Sequence, residues 1–196
     1  LRGFAKVAVL LIGLGFQIAG STFVDRADVS LGRRYAAEIA LLSGVPDHEA
    51  LLQAFFDERL MLDISELMKR SKLSIYAQPW SEWLGASIHE KSGIADPRRC
   101  AGGIENIERI VSDNRIFIRA SGWAWDLASN HALRNIVLVD QNHKVIGFGR
   151  GPFAYREATP TATDSGELRR AFWRGHGNID RPTKVAAFAL IDDGKL

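Results

Sequence analysis

The chain has 196 residues, 46% of them hydrophobic, and a net charge of +2. That apolar content supports a buried core and excludes a chain disordered throughout. The near-neutral balance, with no dense Lys/Arg stripe, argues against a nucleic-acid partner.

The first element is VAVLLIGLGFQIAGSTFV, residues 7–24, which carries no charge. At about 1.5 Å per helical residue it just reaches the length needed to cross a hydrocarbon core of roughly 30 Å. In lipid a helix satisfies every backbone N–H and C=O internally, so residues 1–24 read as a transmembrane helix. Two other readings stay open. A secretory signal peptide would use Arg2 and Lys6 as its basic end and Ala19-Gly20-Ser21 as its cleavage site; a buried helix of a soluble domain is the third. Arginines on both sides of the run leave its orientation undecided.

Residues 25–97 read as a short α-helical juxtamembrane connector. LGRRYAAEIALLSG places Leu31, Tyr35, Ile39 and Leu42 at helical spacing and ends on Gly44, suited to a left-handed stop. Asp47 and Asp57 stand where N-caps belong, because a carboxylate there accepts from the free N–H groups of a first helical turn. In ERLMLDISELMKRSK the expected apolar stripe is Leu60, Ile64, Leu67 and Met68. Trp80 and Trp83 in YAQPWSEWLG suit either a loop folded over a core or a lipid headgroup boundary.

From about residue 98 the period becomes two, so residues 98–196 read as an extracytoplasmic, antiparallel β-sandwich-like domain or open barrel. ENIERIV is a weak strand and RIFIRASGWAWD a strong one. NIVLVDQNHKVIGFG is a hairpin turning at Gln141 to His143, and FWRGHGNI and KVAAFAL are two further strands. PFAYREATPTATDSGELRRA is a surface excursion with a helical turn near Glu167 to Arg170. Asp193-Gly194 is a hairpin signal, and with Leu1 in place of Met it suggests a fragment of a longer protein.

No catalytic set is visible. The five histidines are scattered, and a single Cys excludes a multi-thiolate zinc site, so neither metal nor cofactor is expected. Ser121 lies outside any G-x-S-x-G elbow. GFGRG follows a hairpin strand and opens no helix, which disfavours a phosphate cradle. Asp126 suits the turn through LASN. Cys100 is a disulfide candidate whose partner would lie after residue 196, with a buried free thiol as the alternative. Trp123 and Trp125 point away from the Ile116, Ile118 and Ala120 face. They either pack beneath another segment or form a platform on which sugar rings stack.

Certain segments together resemble a family: YAAEIALLSGVPDHEALLQAFFD, KLSIYA, Cys100 to Gly102, IRASGWAWD, NIVLVDQNHKVIGFGRG and Trp173 to Gly175. They are similar to the C-terminal region of uncharacterised bacterial polytopic membrane proteins described as glycosyltransferase-like. Matching positions include Tyr35, Gly44, Pro46, Asp47, Leu73 to Ala77 and Ser121 to Trp123. The resemblance implies a bacterial inner-membrane location, with everything after Val24 periplasmic or extracellular. It implies a non-catalytic role accessory to a membrane glycosyltransferase, since such enzymes carry their catalytic acids near their N-termini. Expected partners are the lipid bilayer and a glycan or lipid-linked sugar. The alternative is a singly anchored or secreted envelope protein whose β domain mediates protein–protein interaction.

Overall fold

The computed structural model describes residues 31–54, 57–91, 99–151, 171–179, 181 and 183–191. Residues 7–24, the excursion from Pro152 to Arg170 and the Asp193-Gly194 turn lie outside them. Among the described residues no helix is long and apolar enough to cross a membrane.

Helix α1 (31–42) stops where Gly44 takes φ +64°. The Val45 N–H donates to the Ala40 carbonyl at 2.9 Å and the Gly44 N–H to that of Leu41 at 3.1 Å, the paired bonds of a Schellman C-cap. α2 (His48–Ala54) is capped by Asp47, whose Oδ1 accepts from the Ala50 N–H at 3.1 Å. α3 (Glu58–Arg70) is capped by Asp57 through the Leu60 N–H. Two 3-10 turns, Ser74–Ala77 and Pro79–Trp83, and a short α4 (Ile88–Lys91) complete the helical layer.

Seven strands follow: β1 (Cys100–Ser112), β2 (Arg115–Asp126), β3 (His131–Ala132), β4 (Asn135–Asp140), β5 (Val145–Arg150), β6 (Phe172–Ile179) and β7 (Val185–Ala189). They form one antiparallel sheet in the order β1-β2-β6-β5-β4-β7, with β3 beside β2. The fold is therefore mainly β, as the two-residue period implies, but the described strands do not divide into the two facing sheets of a sandwich. The sheet curls until β1 and β7, its ends, come into contact. Ile118, Ala120, Ile136, Leu138, Ile146, Trp173 and Ile179 fill the inside of the curl, with Ile104 of β1 and Val185, Ala187 and Ala189 of β7 packed against them.

The outer face carries a second core. Val137 and Val139 of β4 and Phe148 of β5 pack against Ile39, Leu42, Ile75, Trp80, Trp83 and Ile88 of the helical layer. β4 is thus buried on both faces, which explains why NIVLVD is continuously apolar rather than alternating. Trp80 and Trp83 lie in a loop folded over the core, with the Trp80 ring 5.3 Å from that of Phe148. Ala36, Ala37 and Ala40 are buried, small enough to let α1 lie close to its neighbours.

Two expected stripes are displaced. In α3 the buried side is Met61, with Ile64, Ser65 and Met68 half-buried, while Leu60 and Leu67 face solvent. The helix is rotated so that this side meets α1 and Tyr76, whose hydroxyl lies 2.5 Å from Ser65 Oγ. Leu31, at the start of α1, is also exposed.

Glycine inside the curl is explained by one large residue. Trp173 lies against Gly122 and Gly149, so GFGRG provides clearance for an indole and for β6. A Cβ on Gly122 would stand 2.8 Å from the Trp173 ring and collide with the Gly103 carbonyl. Gly122→Ala should therefore cost about 1–3 kcal/mol, read as a lower urea midpoint with an unchanged denaturant slope.

Candidate functional site

On the outward face of β2 the side chains run Phe117, Arg119, Ser121, Trp123 and Trp125. In register on β6, Asn178, His176, Arg174 and Phe172 face them. On β1 the opposed residues are Ile110, Glu108, Asn106, Gly103 and Ala101. This face has two halves, one held beneath the helical layer and the other, around the tryptophans, beyond it.

The covered half is organised by Asp47, which precedes α2 and is buried. Its Oδ1 accepts from the Ala50 N–H and, at 2.8 Å, from Arg119 Nη2. Its Oδ2 accepts from Arg119 Nε at 2.9 Å and His176 Nε2 at 2.7 Å. An ionised carboxylate offers about four lone-pair sites, and all are used. Arg119 also donates to Glu49 and Glu108, each at 3.0 Å.

Burial alone would raise the Asp47 pKa. The bonds from His176, Ala50 and Arg119 outweigh it and hold the carboxyl well below the usual carboxylate range. Since a carboxylate only accepts, His176 Nε2 carries the proton and Nδ1 is bare. Burial, reinforced by the charges of Arg119 and Arg174, lowers the His176 pKa against the opposing pull of Asp47. Arg174 lies half-buried on the same face; burial and then Arg119 lower its pKa.

This cluster is not a catalytic dyad. A general base must reach the proton it abstracts within about 2.6–3.2 Å, yet His176 is fully buried and its bare Nδ1 has no hydrogen-bond partner. Its role is to fasten the α1–α2 junction to β2 and β6.

A second cluster imitates a triad. Ser129 Oγ lies 2.6 Å from Asp126 Oδ2 and 2.5 Å from His131 Nδ1. The ionised Asp126 can only accept, so the hydroxyl donates to it and accepts from His131 Nδ1–H. Bonds from Ser129 and Arg99 hold the Asp126 carboxyl well below its usual range, which makes it a poor base. With the proton on the wrong partner, Ser129 is no nucleophile. The two N–H groups of Ala128 and Ser129 also donate to Asp126, so it caps the turn through LASN as its sequence suggests.

The expected site residues are placed as follows. Cys100 opens β1 opposite Asp126 and packs against the interior of the curl as a free thiol. Burial, then the Asp126 charge, raises its pKa, so it is not a ready thiolate. Trp123 and Trp125 are half-buried neighbours on the outward face. Opposite them β1 carries only Gly103 and Ala101, and a Cβ on Gly103 would meet nothing within 4 Å. Asn130 Oδ1 accepts from the Trp125 indole at 3.3 Å and fixes its edge. Among the described residues no group of three His, Cys, Asp or Glu side chains is close enough to hold a metal.

The Asp47, Arg119 and His176 cluster was not legible in the sequence beyond the capping position of Asp47. The one further signal is that Arg174 and His176 alternate with Trp173, Gly175 and Gly177, which places them on the outward face. No known protein family, curated protein or solved structure matches the chain.

Two consequences are measurable. Asp47→Ala removes one partner of a buried ion pair and should cost about 3–5 kcal/mol in urea unfolding. The pH dependence follows from the shifts. His176 binds its proton less readily folded than unfolded, so stability should fall as pH drops below 6.5, its ordinary value. The contribution of Asp47 is fully present above 3.8 and is lost as pH falls further. Glu38, raised by burial, works in the opposite sense. His176→Gln, which can still donate to Asp47, should flatten the upper part of this profile in melts taken across pH.

Proposed function

We propose that the β domain is a non-catalytic binding module whose outward tryptophan face contacts a glycan. On this reading the chain is the extracytoplasmic C-terminal portion of a bacterial inner-membrane protein, accessory to a membrane glycosyltransferase. The observation that carries the reading is the pairing of Trp123 and Trp125 with Ala101 and Gly103 on β1. Two adjacent indoles on one sheet face, flanked by residues too small to cover them, leave π surface available to the C–H groups of a sugar ring. The polar neighbours Asn106, Ser121 and Asn130 offer hydrogen bonds to hydroxyls at its edge. The titratable clusters nearby are saturated by structural bonds, which supports binding over catalysis.

Membrane location rests on the uncharged run of residues 7–24 and on the family resemblance, as does a lipid-linked sugar as the glycan. A protein–protein role is the second reading. It is favoured by β1, where Ile107 and Val111 are exposed.

Gly103→Leu provides a test that leaves the core alone, since open space surrounds that position. A bacterial envelope polysaccharide should bind the wild type and lose at least tenfold in affinity to Gly103→Leu and to Trp123→Ala, by titration calorimetry, with melting temperatures within a few degrees. Unchanged affinity in Gly103→Leu would contradict the platform. Collapse of the fold in Trp123→Ala would assign that indole to packing.

A further inference from the structure

Away from the tryptophan face, a crevice of about 250 Å³ separates α1 from α3. Its apolar lining is Leu41 from α1 and Met61, Ile64 and Met68 from α3; Arg34, Glu38, Ser65 and Tyr76 supply the polar lining. Apolar walls with a few convergent polar groups are the usual make-up of a small-molecule site. The two methionines are unbranched and polarizable, so they adapt to a ligand's shape.

Glu38 decides the chemistry. Its Oε1 accepts weakly from Ser74 Oγ at 3.5 Å, while its Oε2 is shut off from solvent with no hydrogen-bond donor. The nearest cation, Arg150 Nη1, is 3.6 Å from Oε2, too far for a hydrogen bond, and is also engaged over the Tyr35 ring. Ser65 and Tyr76 are occupied with each other. An unfilled buried acceptor is costly, and a ligand donor would relieve it.

Two ligand charges fit poorly. A carboxylate would oppose Glu38, and an ammonium would add a third cation where Arg34 and Arg150 already stand. A neutral hydroxyl supplies the proton without either conflict. At roughly 30 Å³ per water-sized group, the crevice has room for a short alkyl chain and its head.

We propose that the α1–α3 crevice binds a small uncharged amphiphile, its alkyl chain between Leu41, Met61, Ile64 and Met68 and its hydroxyl donating to Glu38. The site is separate from the glycan reading and does not depend on it.

The test is a titration of the isotope-labelled chain with 1-hexanol, followed by amide chemical shifts, with hexanoate and hexylammonium as comparison probes. The expected result is saturable shifts confined to α1, α3 and Tyr76, at least tenfold weaker binding of both charged probes, and loss of saturation in Ile64→Phe, which fills the crevice. If Ile64→Phe loses its dispersed spectrum, Met68→Phe makes the same test one turn on. Absence of saturable shifts, or shifts that survive filling, would overturn the site. Hexanoate or hexylammonium binding as tightly as hexanol would overturn the hydroxyl assignment.

Discussion

The carboxylate of Asp47 is the constraint on which the packing of helices against sheet depends. It begins as a local device, the cap of α2, and a cap needs only one acceptor oxygen. Here the remaining lone pairs are turned to the sheet, where Arg119 of β2 and His176 of β6 meet them. A buried charge without those partners would be strongly destabilising. The helical layer must therefore sit where β2 and β6 present these two side chains together.

The rest of the interface follows from that registration. With Asp47 over β2 and β6, α1 lies near β5. There the buried Phe148 N–H donates to Ser43 Oγ at 3.2 Å, and Arg150 reaches Glu38 and the Tyr35 ring. The 3-10 turns then bring Trp80 and Trp83 onto Phe148 and β4, while the Val145 N–H donates to the Ala86 carbonyl. What the layer leaves exposed is the far end of β2, where Trp123 and Trp125 lie. Polar chemistry is consumed in assembly, and the outward aromatic face remains for recognition.

Much of the fold was legible because its signals are local. The Gly44 stop, both Asp caps, the turn at Gln141 to His143 and the alternation of β2 each depend on neighbours in sequence, and each is found. The single curled sheet was harder to read, because alternation sets which side chains share a face but not whether strands close into one sheet or two. The stripe of α3 was misjudged since Leu60 and Leu67 score as apolar by composition, whereas contact with α1 selects Met61 and its neighbours. The Asp47 cluster was beyond reach: His176 is 129 positions away and Arg119 is 72. The tryptophan pair was visible at once, but its small neighbours on β1 emerge only from the register.

A double-mutant cycle between Asp47→Ala and His176→Ala addresses the central claim directly. If one buried bond couples the α1–α2 junction to β6, the two unfolding free-energy losses should fall short of additivity by at least about 1 kcal/mol. Losses that add within roughly 0.5 kcal/mol would mean that the layer is held by its apolar contacts alone, and the account of Asp47 as the fastening point would fail.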